Sequence, residues 1–166
     1  MIAPAEWKEV RRWWRRTLPF YAVCTAAPDG RPHVAPVGSV MLNDDGTGYY
    51  FEIFLQHTAQ HLNHDPRVTV MALQIMPWFW ARALFTGRFA YAPALRLIGT
   101  AEAARPSTER ERKRWYRRVG PVRRLKGPKM WWGDLDTVRP LRFERVAPVQ
   151  LGASTQGLWP PPAGRG

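Results

Sequence analysis

The sequence predicts a mainly β fold of the α+β class, in which six antiparallel strands form a small barrel with short flanking helices. Three observations support this prediction. Six apolar runs are separated by turn-forming residues, of which Asp29-Gly30 and the segment 43–48 are the clearest. Short segments with helical periodicity lie between or beside these runs. The chain has 166 residues and no internal repeat, so it can build one core.

Composition favours one folded domain over residues 1–150, followed by a Pro/Gly-rich tail over 151–166 that is mobile or wraps a neighbour. Hydrophobic residues make up 45% of the chain, which is too apolar for a disordered protein. The single cysteine, Cys24, excludes an internal disulfide and gives no sign of an oxidising compartment. The N-terminal segment lacks the apolar core of a signal peptide, so we expect a cytoplasmic location.

The formal net charge of +12 requires an explanation. Nucleic acid, an anionic membrane surface and a phosphorylated ligand are all candidate partners for such a chain. An arginine-rich composition can also simply reflect a genome with high GC content. Charge alone does not choose among these explanations.

The first element is an amphipathic helix over residues 4–17. Trp7, Val10, Trp14 and Leu18 recur at helical spacing among arginines and a lysine, so we expect the tryptophan face to pack on the body. The alternative is a basic helix that lies on a membrane or on a nucleic-acid backbone.

Strands are predicted over residues 20–26 and 33–42, and the second contains Pro36 and Gly38. Proline donates no ladder hydrogen bond and glycine packs nothing, so both are unusual in the centre of a strand. They indicate a bulge or an edge at which the backbone approaches a ligand. A barrel corner that needs Gly38 to bend is the alternative.

A third strand over residues 49–55 contains Glu52, which points either to solvent or into a pocket. The helix predicted next, 57–64, has Thr58 near its start. Free backbone N–H groups and the helix dipole favour an anion at such a position, so this helix start is a candidate phosphate site.

His57, His61 and His64 would share one face of that helix, which is a pattern also seen in zinc sites. No cysteine or acid stands at a supporting spacing, so no metal site is predicted. The strand that follows, 67–75, has apolar residues on both faces, which indicates burial on both sides.

Residues 77–91 are dense in aromatics and predict a short helix and loop over the pocket, or an aromatic patch for another chain or a membrane. Arg82 and Arg88 interrupt the apolar run, which favours a lid or a dimer surface.

The remaining elements are strands over residues 95–104 and 138–149 and a strongly basic helix that ends near residue 119. Thr108 and Glu111 have the spacing of a capping box at the start of this helix. An irregular basic loop is expected over residues 120–136.

Four segments also carry a resemblance to a known family. They are residues 29–39, 50–52, 62–68 and 96–102. Their order and spacing resemble the split-barrel flavin-binding proteins related to pyridoxamine 5'-phosphate oxidase. The resemblance implies a homodimer of six-stranded antiparallel split β-barrels that holds FMN, or in some branches a deazaflavin or haem, at the dimer interface.

The resemblance also assigns roles to residues. It implies that the backbone of Pro36, Val37, Gly38, Ser39 and Val40 lines the isoalloxazine ring, while His57 and Thr58 hold the cofactor phosphate. Glu52 and His61 complete the predicted cofactor-binding set, and Trp78, Trp80, Trp131 and Trp132 are predicted to stack on the ring or substrate. Where the oxidase motif has an arginine and a lysine, this chain has Ala35 and Val40. Two phosphate or ring contacts of that motif are therefore missing.

We therefore expect an FMN-binding oxidoreductase that transfers hydride to or from a small molecule, with no catalytic side chain identified. One alternative is a non-catalytic flavin or haem binding or storage protein on the same barrel. The other is a basic nucleic-acid or anionic-membrane binder. The main hypothesis involves neither nucleic acid nor a membrane.

Overall fold

The computed structural model describes residues 2–120 and 135–159. The elements, in chain order, are α1 (Pro4–Trp14), β1 (Tyr21–Ala26), β2 (Pro32–Val37), β3 (Met41–Leu42), β4 (Thr47–Phe51), α2 (Gln56–His64), β5 (Arg67–Leu73), α3 (Pro77–Thr86), β6 (Ala94–Ala101), β7 (Arg105–Pro106), α4 (Glu109–Arg118), β8 (Thr137–Pro148) and a 3-10 turn (Gly152–Thr155). None of the helices in these two ranges is long and apolar enough to cross a membrane.

All strands belong to one antiparallel sheet, which confirms the predicted six-stranded split barrel. The order is β2-β1-β5-β6-β8-β4-β3, and β7 pairs with β8. Six strands are long, whereas β3 and β7 have two residues each. The edge strands β2 and β3 are consecutive in the chain and are joined by residues 38–40 alone. Because three residues span little more than 10 Å, the sheet must curl until its two edges nearly meet.

The N-terminal helix packs as predicted. Trp7, Val10 and Trp14 are buried in the main core, and the Trp7 indole N–H donates to the Asn43 carbonyl at 2.9 Å. The helix ends at Trp14, earlier than expected, so Leu18 lies outside it and is 44% exposed.

One strand differs from its prediction in burial. Val68, Val70 and Ala72 of β5 are buried in the core, but Met71 is half-buried and Leu73 is 38% exposed. Within the described residues, the outer face of β5 has no full covering layer. One copy of the chain therefore leaves apolar side chains of this strand partly exposed.

A bulge bends the sheet between β6 and β8. The register shifts between Ile98 and Gly99. A side chain at Gly99 would stand 1.9 Å from the Arg142 carbonyl oxygen, so only glycine permits this approach.

The capping box at the start of α4 is confirmed. The Thr108 hydroxyl accepts from the Glu111 N–H at 3.2 Å, and the Glu111 carboxylate accepts from the Thr108 N–H at 2.8 Å. Trp115 anchors the helix in a second core cluster beside Phe51 and Val138.

The first part of the predicted tail is packed on the barrel. Trp159 is partly buried against the main core, and its indole N–H donates to Glu6 at 3.2 Å. Residues 160–166 lie outside the described residues.

Candidate functional site

The candidate site lies at the seam between the two edges of the sheet. Pro36 lies in edge strand β2, which pairs with β1 alone, and Pro36 stands opposite Ala22. An edge strand tolerates a proline because it has no neighbouring strand on its other side. The strand ends at Val37. In the segment between β2 and β3, the Ser39 hydroxyl accepts from the Phe51 N–H at 3.0 Å and donates to the Phe51 carbonyl at 3.2 Å. A side chain thus replaces strand pairing where β2 has ended and β3 has not begun.

A small cavity of about 100 Å³ opens at this seam. It is lined by Pro36, Val37, Gly38, Ser39, Phe51, Ile53, Phe54 and Leu55. Four of the five residues of the predicted ring-binding segment therefore line one cavity. Gly38 is also held close to the preceding loop, since a Cβ there would be 3.3 Å from the Pro19 carbonyl oxygen. A larger residue would crowd the seam.

Phe54 is a site residue that the sequence analysis missed. Its backbone is left-handed, with φ of 56°, and it is the one non-glycine residue with positive φ in the described chain. Its side chain is 84% exposed. A bulky residue in this conformation stores strain, and such strain tends to occur at functional sites. Nothing in the sequence pattern signals a left-handed phenylalanine.

Helix α2 begins directly after the cavity. Its N-cap is Leu55, which provides no side-chain cap. The backbone N–H groups of Gln56, His57 and Thr58 therefore stand at the helix start without an intrahelical acceptor. Thr58 is 1% exposed, and its hydroxyl lies 3.3 Å from His33 Nε2. The predicted phosphate residues are thus next to the predicted ring segment.

Three imidazole rings cluster beside this helix start. The ring of His33 lies 4.8 Å from that of His61 and 6.5 Å from that of His57, centre to centre. His61 Nδ1 also lies 3.2 Å from the Thr25 hydroxyl. The sequence analysis did not join His33 or Thr25 to the helix, because β1 and β2 come close to α2 only in the folded barrel. Within residues 2–120 and 135–159, no group of three or more metal-ligating side chains could hold a metal ion.

Two predicted cofactor residues, Val40 and Glu52, belong neither to the cavity lining nor to α2. Val40 is fully buried in the core. The Glu52 carboxylate is bound by Arg139, with Nε to Oε1 at 2.9 Å and Nη2 to Oε2 at 3.3 Å. Arg139 is 2% exposed and also donates to Asn63 Oδ1 at 3.0 Å. Burial, and then the Glu52 charge, raise the pKa of the neighbouring Tyr50 hydroxyl.

The predicted lid residues divide into two groups. Trp80 is held by its indole N–H, which donates to the Gln74 carbonyl at 2.6 Å, while Trp78 is 59% exposed. Both belong to α3, which confirms a short helix within the aromatic segment. Trp131 and Trp132 lie outside the described residues.

Comparison with solved structures identifies the fold. An FMN-binding protein from Syntrophomonas wolfei has a TM-score of 0.55 and 15% identity, covering 89% of this chain and 94% of that chain. A heme binding protein from Mycobacterium smegmatis has a TM-score of 0.55 and 18% identity, covering 88% and 54%. An F420 reductase has a TM-score of 0.53 and 14% identity, covering 80% and 91%. At these identities the similarity shows a common fold alone.

Comparison of sequences gives the family. No curated protein matches the chain. The family model described as pyridoxamine 5'-phosphate oxidase matches residues 7–139, which is most of the chain and includes the seam, α2 and the start of β8. The chain therefore belongs to the pyridoxamine 5'-phosphate oxidase family.

Proposed function

We propose that the protein binds FMN at the seam and is a flavin-dependent oxidoreductase that transfers hydride to or from a small molecule. One observation carries the proposal. Residues 36–39 line a cavity that residues 53–55 also line, and residues 53–55 lead directly into the start of α2, which has no side-chain cap. The cavity that would hold a flat ring thus lies next to a helix start that can bind an anion. Family membership supports the same assignment.

In this proposal the start of α2 holds the cofactor phosphate. The N–H groups of Gln56, His57 and Thr58 and the Thr58 hydroxyl are the donors, and the His57 imidazole is a further candidate donor. These groups compensate for Ala35 and Val40, which provide no charge where the oxidase motif is basic. The bound flavin supplies the hydride chemistry, while the protein positions it and excludes water. Trp78 is a candidate for the substrate side, because it is the more exposed tryptophan of α3.

We also propose that two copies of the chain complete the site. A cavity of about 100 Å³ is smaller than the roughly 300 Å³ at which small-molecule sites begin, so one copy provides half a site. The outer face of the sheet next to it carries a mainly apolar row. Val34, Cys24 and Ile98 stand in one cross-strand row with Thr69, and Val34 is 61% exposed. A second copy on this face would cover these residues and also the exposed side of β5.

Ligand titration tests the cofactor assignment. The purified protein is examined for a visible absorption spectrum and then titrated with FMN, riboflavin, F420 and haem. FMN binding that is tighter than riboflavin binding supports a ring site joined to a phosphate site. A colourless protein that takes up neither FMN nor F420 contradicts the flavin proposal. Hydride transfer is then tested by anaerobic reduction of the loaded protein with nicotinamide cofactors.

Haem binding is the second candidate function, and the histidine cluster favours it. His33, His57 and His61 place three imidazoles beside the same cavity segment, and an imidazole is a common haem ligand. A Soret band that disappears when one of these histidines, or His64, becomes alanine would establish haem and identify its ligand. In that case the protein stores or senses a cofactor on the same barrel.

A further inference from the structure

Five arginine side chains surround a second cavity, which lies between α1, β3 and α4 and has a volume of about 350 Å³. Its lining consists of Arg11, Arg15, Arg114, Arg117 and Arg118 around an apolar floor of Trp14, Val40, Met41 and Leu42. Apart from Val40, the proposed flavin function assigns no role to these residues. Residues 40–42 of this lining follow the seam directly in the chain, but no residue lines both this cavity and the seam cavity.

Most of these charges have no carboxylate paired with them, although Asp44, Asp45 and Glu111 line a neighbouring cavity. Among the described residues, one of the five guanidinium groups has a carboxylate within ion-pair distance. This pair joins Arg11 to Asp44, whose side chain is 83% exposed. The other recorded partners are neutral oxygens. Arg114 donates to the side chain of Asn43 at 2.9 Å and to the Leu42 carbonyl.

Arg118 is partly buried and also has no paired carboxylate among the described residues. Its Nη2 donates to the Tyr21 hydroxyl at 2.9 Å, but its Nε–H is buried without a hydrogen-bond partner. A charged group in that position costs free energy unless an anion neutralises it. Buried donors that lack partners are uncommon in folded proteins, so this N–H is available to a ligand.

The fold holds the arginines in place. Trp14 fixes α1 on the core, and Trp115 together with the capping box at Thr108 fixes α4. Two helices that are each anchored by buried tryptophans therefore bring like charges together against their mutual repulsion. Surface arginines with no ligand are free to spread into solvent, whereas Arg114 and Arg118 are only partly exposed.

We propose that this cavity binds a small ligand that carries two linked phosphate groups beside an apolar portion. Guanidinium groups bind phosphate oxygens in bidentate fashion, and five of them offer more donors than one phosphate can accept. The cavity volume is that of a small-molecule site. Its floor contains Trp14, Met41 and Leu42, which suit an apolar group next to the phosphates.

Isothermal titration of the full-length protein with inorganic pyrophosphate tests the proposal, with orthophosphate as the single-phosphate comparison. We expect pyrophosphate to bind about tenfold or more tightly than orthophosphate. The double variant Arg15→Gln/Arg117→Gln changes two exposed arginines, so it should fold normally and lose about tenfold in pyrophosphate affinity. Arg114→Gln provides a second, independent variant.

The matched control is Arg82→Gln/Arg88→Gln, which removes the same charge from α3 and from the exposed loop after it. It should bind pyrophosphate like the wild type. Equal affinity for the two anions, or an equal loss in the control, overturns the proposal in favour of non-specific electrostatic attraction. A short DNA duplex that displaces pyrophosphate and binds more tightly overturns it in favour of nucleic acid. FMN should bind Arg15→Gln/Arg117→Gln unchanged; loss of FMN binding would make this cavity part of the flavin site and overturn its assignment as a separate one.

Discussion

The Ser39 hydroxyl hydrogen-bonds both the N–H and the carbonyl of Phe51, at 3.0 and 3.2 Å. Ser39 is 4% exposed and Phe51 is 1% exposed, so the Phe51 N–H depends on this hydroxyl rather than on water. The Phe51 carbonyl also accepts from the Ile53 N–H at 3.0 Å. This pair fastens the end of β4 to the segment that joins the two edges of the sheet. The geometry of the neighbouring seam cavity depends on the same contact.

We therefore expect Ser39→Ala to destabilise the protein by about 1–3 kcal/mol, because it leaves the buried Phe51 N–H without a partner. Urea denaturation measures this loss. Ser154→Ala is the control, since Ser154 lies in the 3-10 turn near the surface and its hydroxyl donates to a single carbonyl. Equal stability of the two variants would show that the seam does not need the hydroxyl.

The ion pair between Glu52 and Arg139 provides the second prediction. Glu52→Ala leaves the Arg139 guanidinium buried without its carboxylate, which should cost about 3–5 kcal/mol of unfolding free energy. Glu102→Ala removes the partner of Arg142 at the surface, where both side chains are more than half exposed, and should cost less than about 1 kcal/mol. Chemical denaturation compares the two. A stable Glu52→Ala protein that fails to bind FMN would instead place Glu52 at the cofactor.

The phosphate site at α2 gives a prediction about ligand discrimination. Thr58→Val keeps the shape of the side chain and removes its hydroxyl, so FMN affinity should fall by about tenfold or more. Riboflavin has no phosphate, and its affinity should not change. Thr137→Val, at the exposed start of β8, is the control. If Thr58→Val weakened FMN and riboflavin binding equally, the proposed phosphate site at α2 would be contradicted.

The capping box predicts a pH dependence. Burial raises the pKa of Glu111, but hydrogen bonds from Arg105 and from Thr108 outweigh burial, so its pKa lies below the ordinary value. The unfolded chain, with a glutamate pKa of about 4.3, then takes up the proton first as pH falls. The stabilisation is complete above that value and is lost as pH drops through the lower folded-state pKa.

Glu111→Gln should therefore be less stable than the wild type at neutral pH and lose less stability between about pH 5 and pH 3. Urea denaturation over this range measures both effects. Glu109→Gln is the matched control, because Glu109 pairs with Lys113 at the surface of the same helix. The stability of Glu109→Gln should change with pH as that of the wild type does. If the stability of Glu111→Gln also changed with pH like the wild type, the prediction would be contradicted.

The proposed dimer is tested at Val34. A lysine at this exposed apolar position would place a charge in the interface, so Val34→Lys should be monomeric by analytical ultracentrifugation and bind FMN more weakly. Leu84→Lys introduces the same charge on α3, where Leu84 is 85% exposed. It should remain dimeric. A monomeric Leu84→Lys beside a dimeric Val34→Lys would move the interface to α3.

Local patterns in the sequence were sufficient for most elements. The capping box at Thr108 and the tryptophan face of α1 depend on residues a few positions apart, so periodicity and capping chemistry predict them. Pro36 and Gly38 were correctly singled out as unsuitable for a strand interior. The predicted continuous strand over residues 33–42 was wrong, because the chain leaves one sheet edge after Val37 and joins the other at Met41.

The sequence by itself determined the six strands, the family and the chemistry of the segments that carry the candidate site. Only the tertiary structure decided which of those segments meet. It placed His33 beside α2, buried the Glu52 carboxylate against Arg139 and gathered arginines from α1 and α4 around one cavity. The physical reason is that strand and helix patterns arise from neighbouring residues, whereas these contacts join positions far apart in the chain and depend on how the sheet curls and closes.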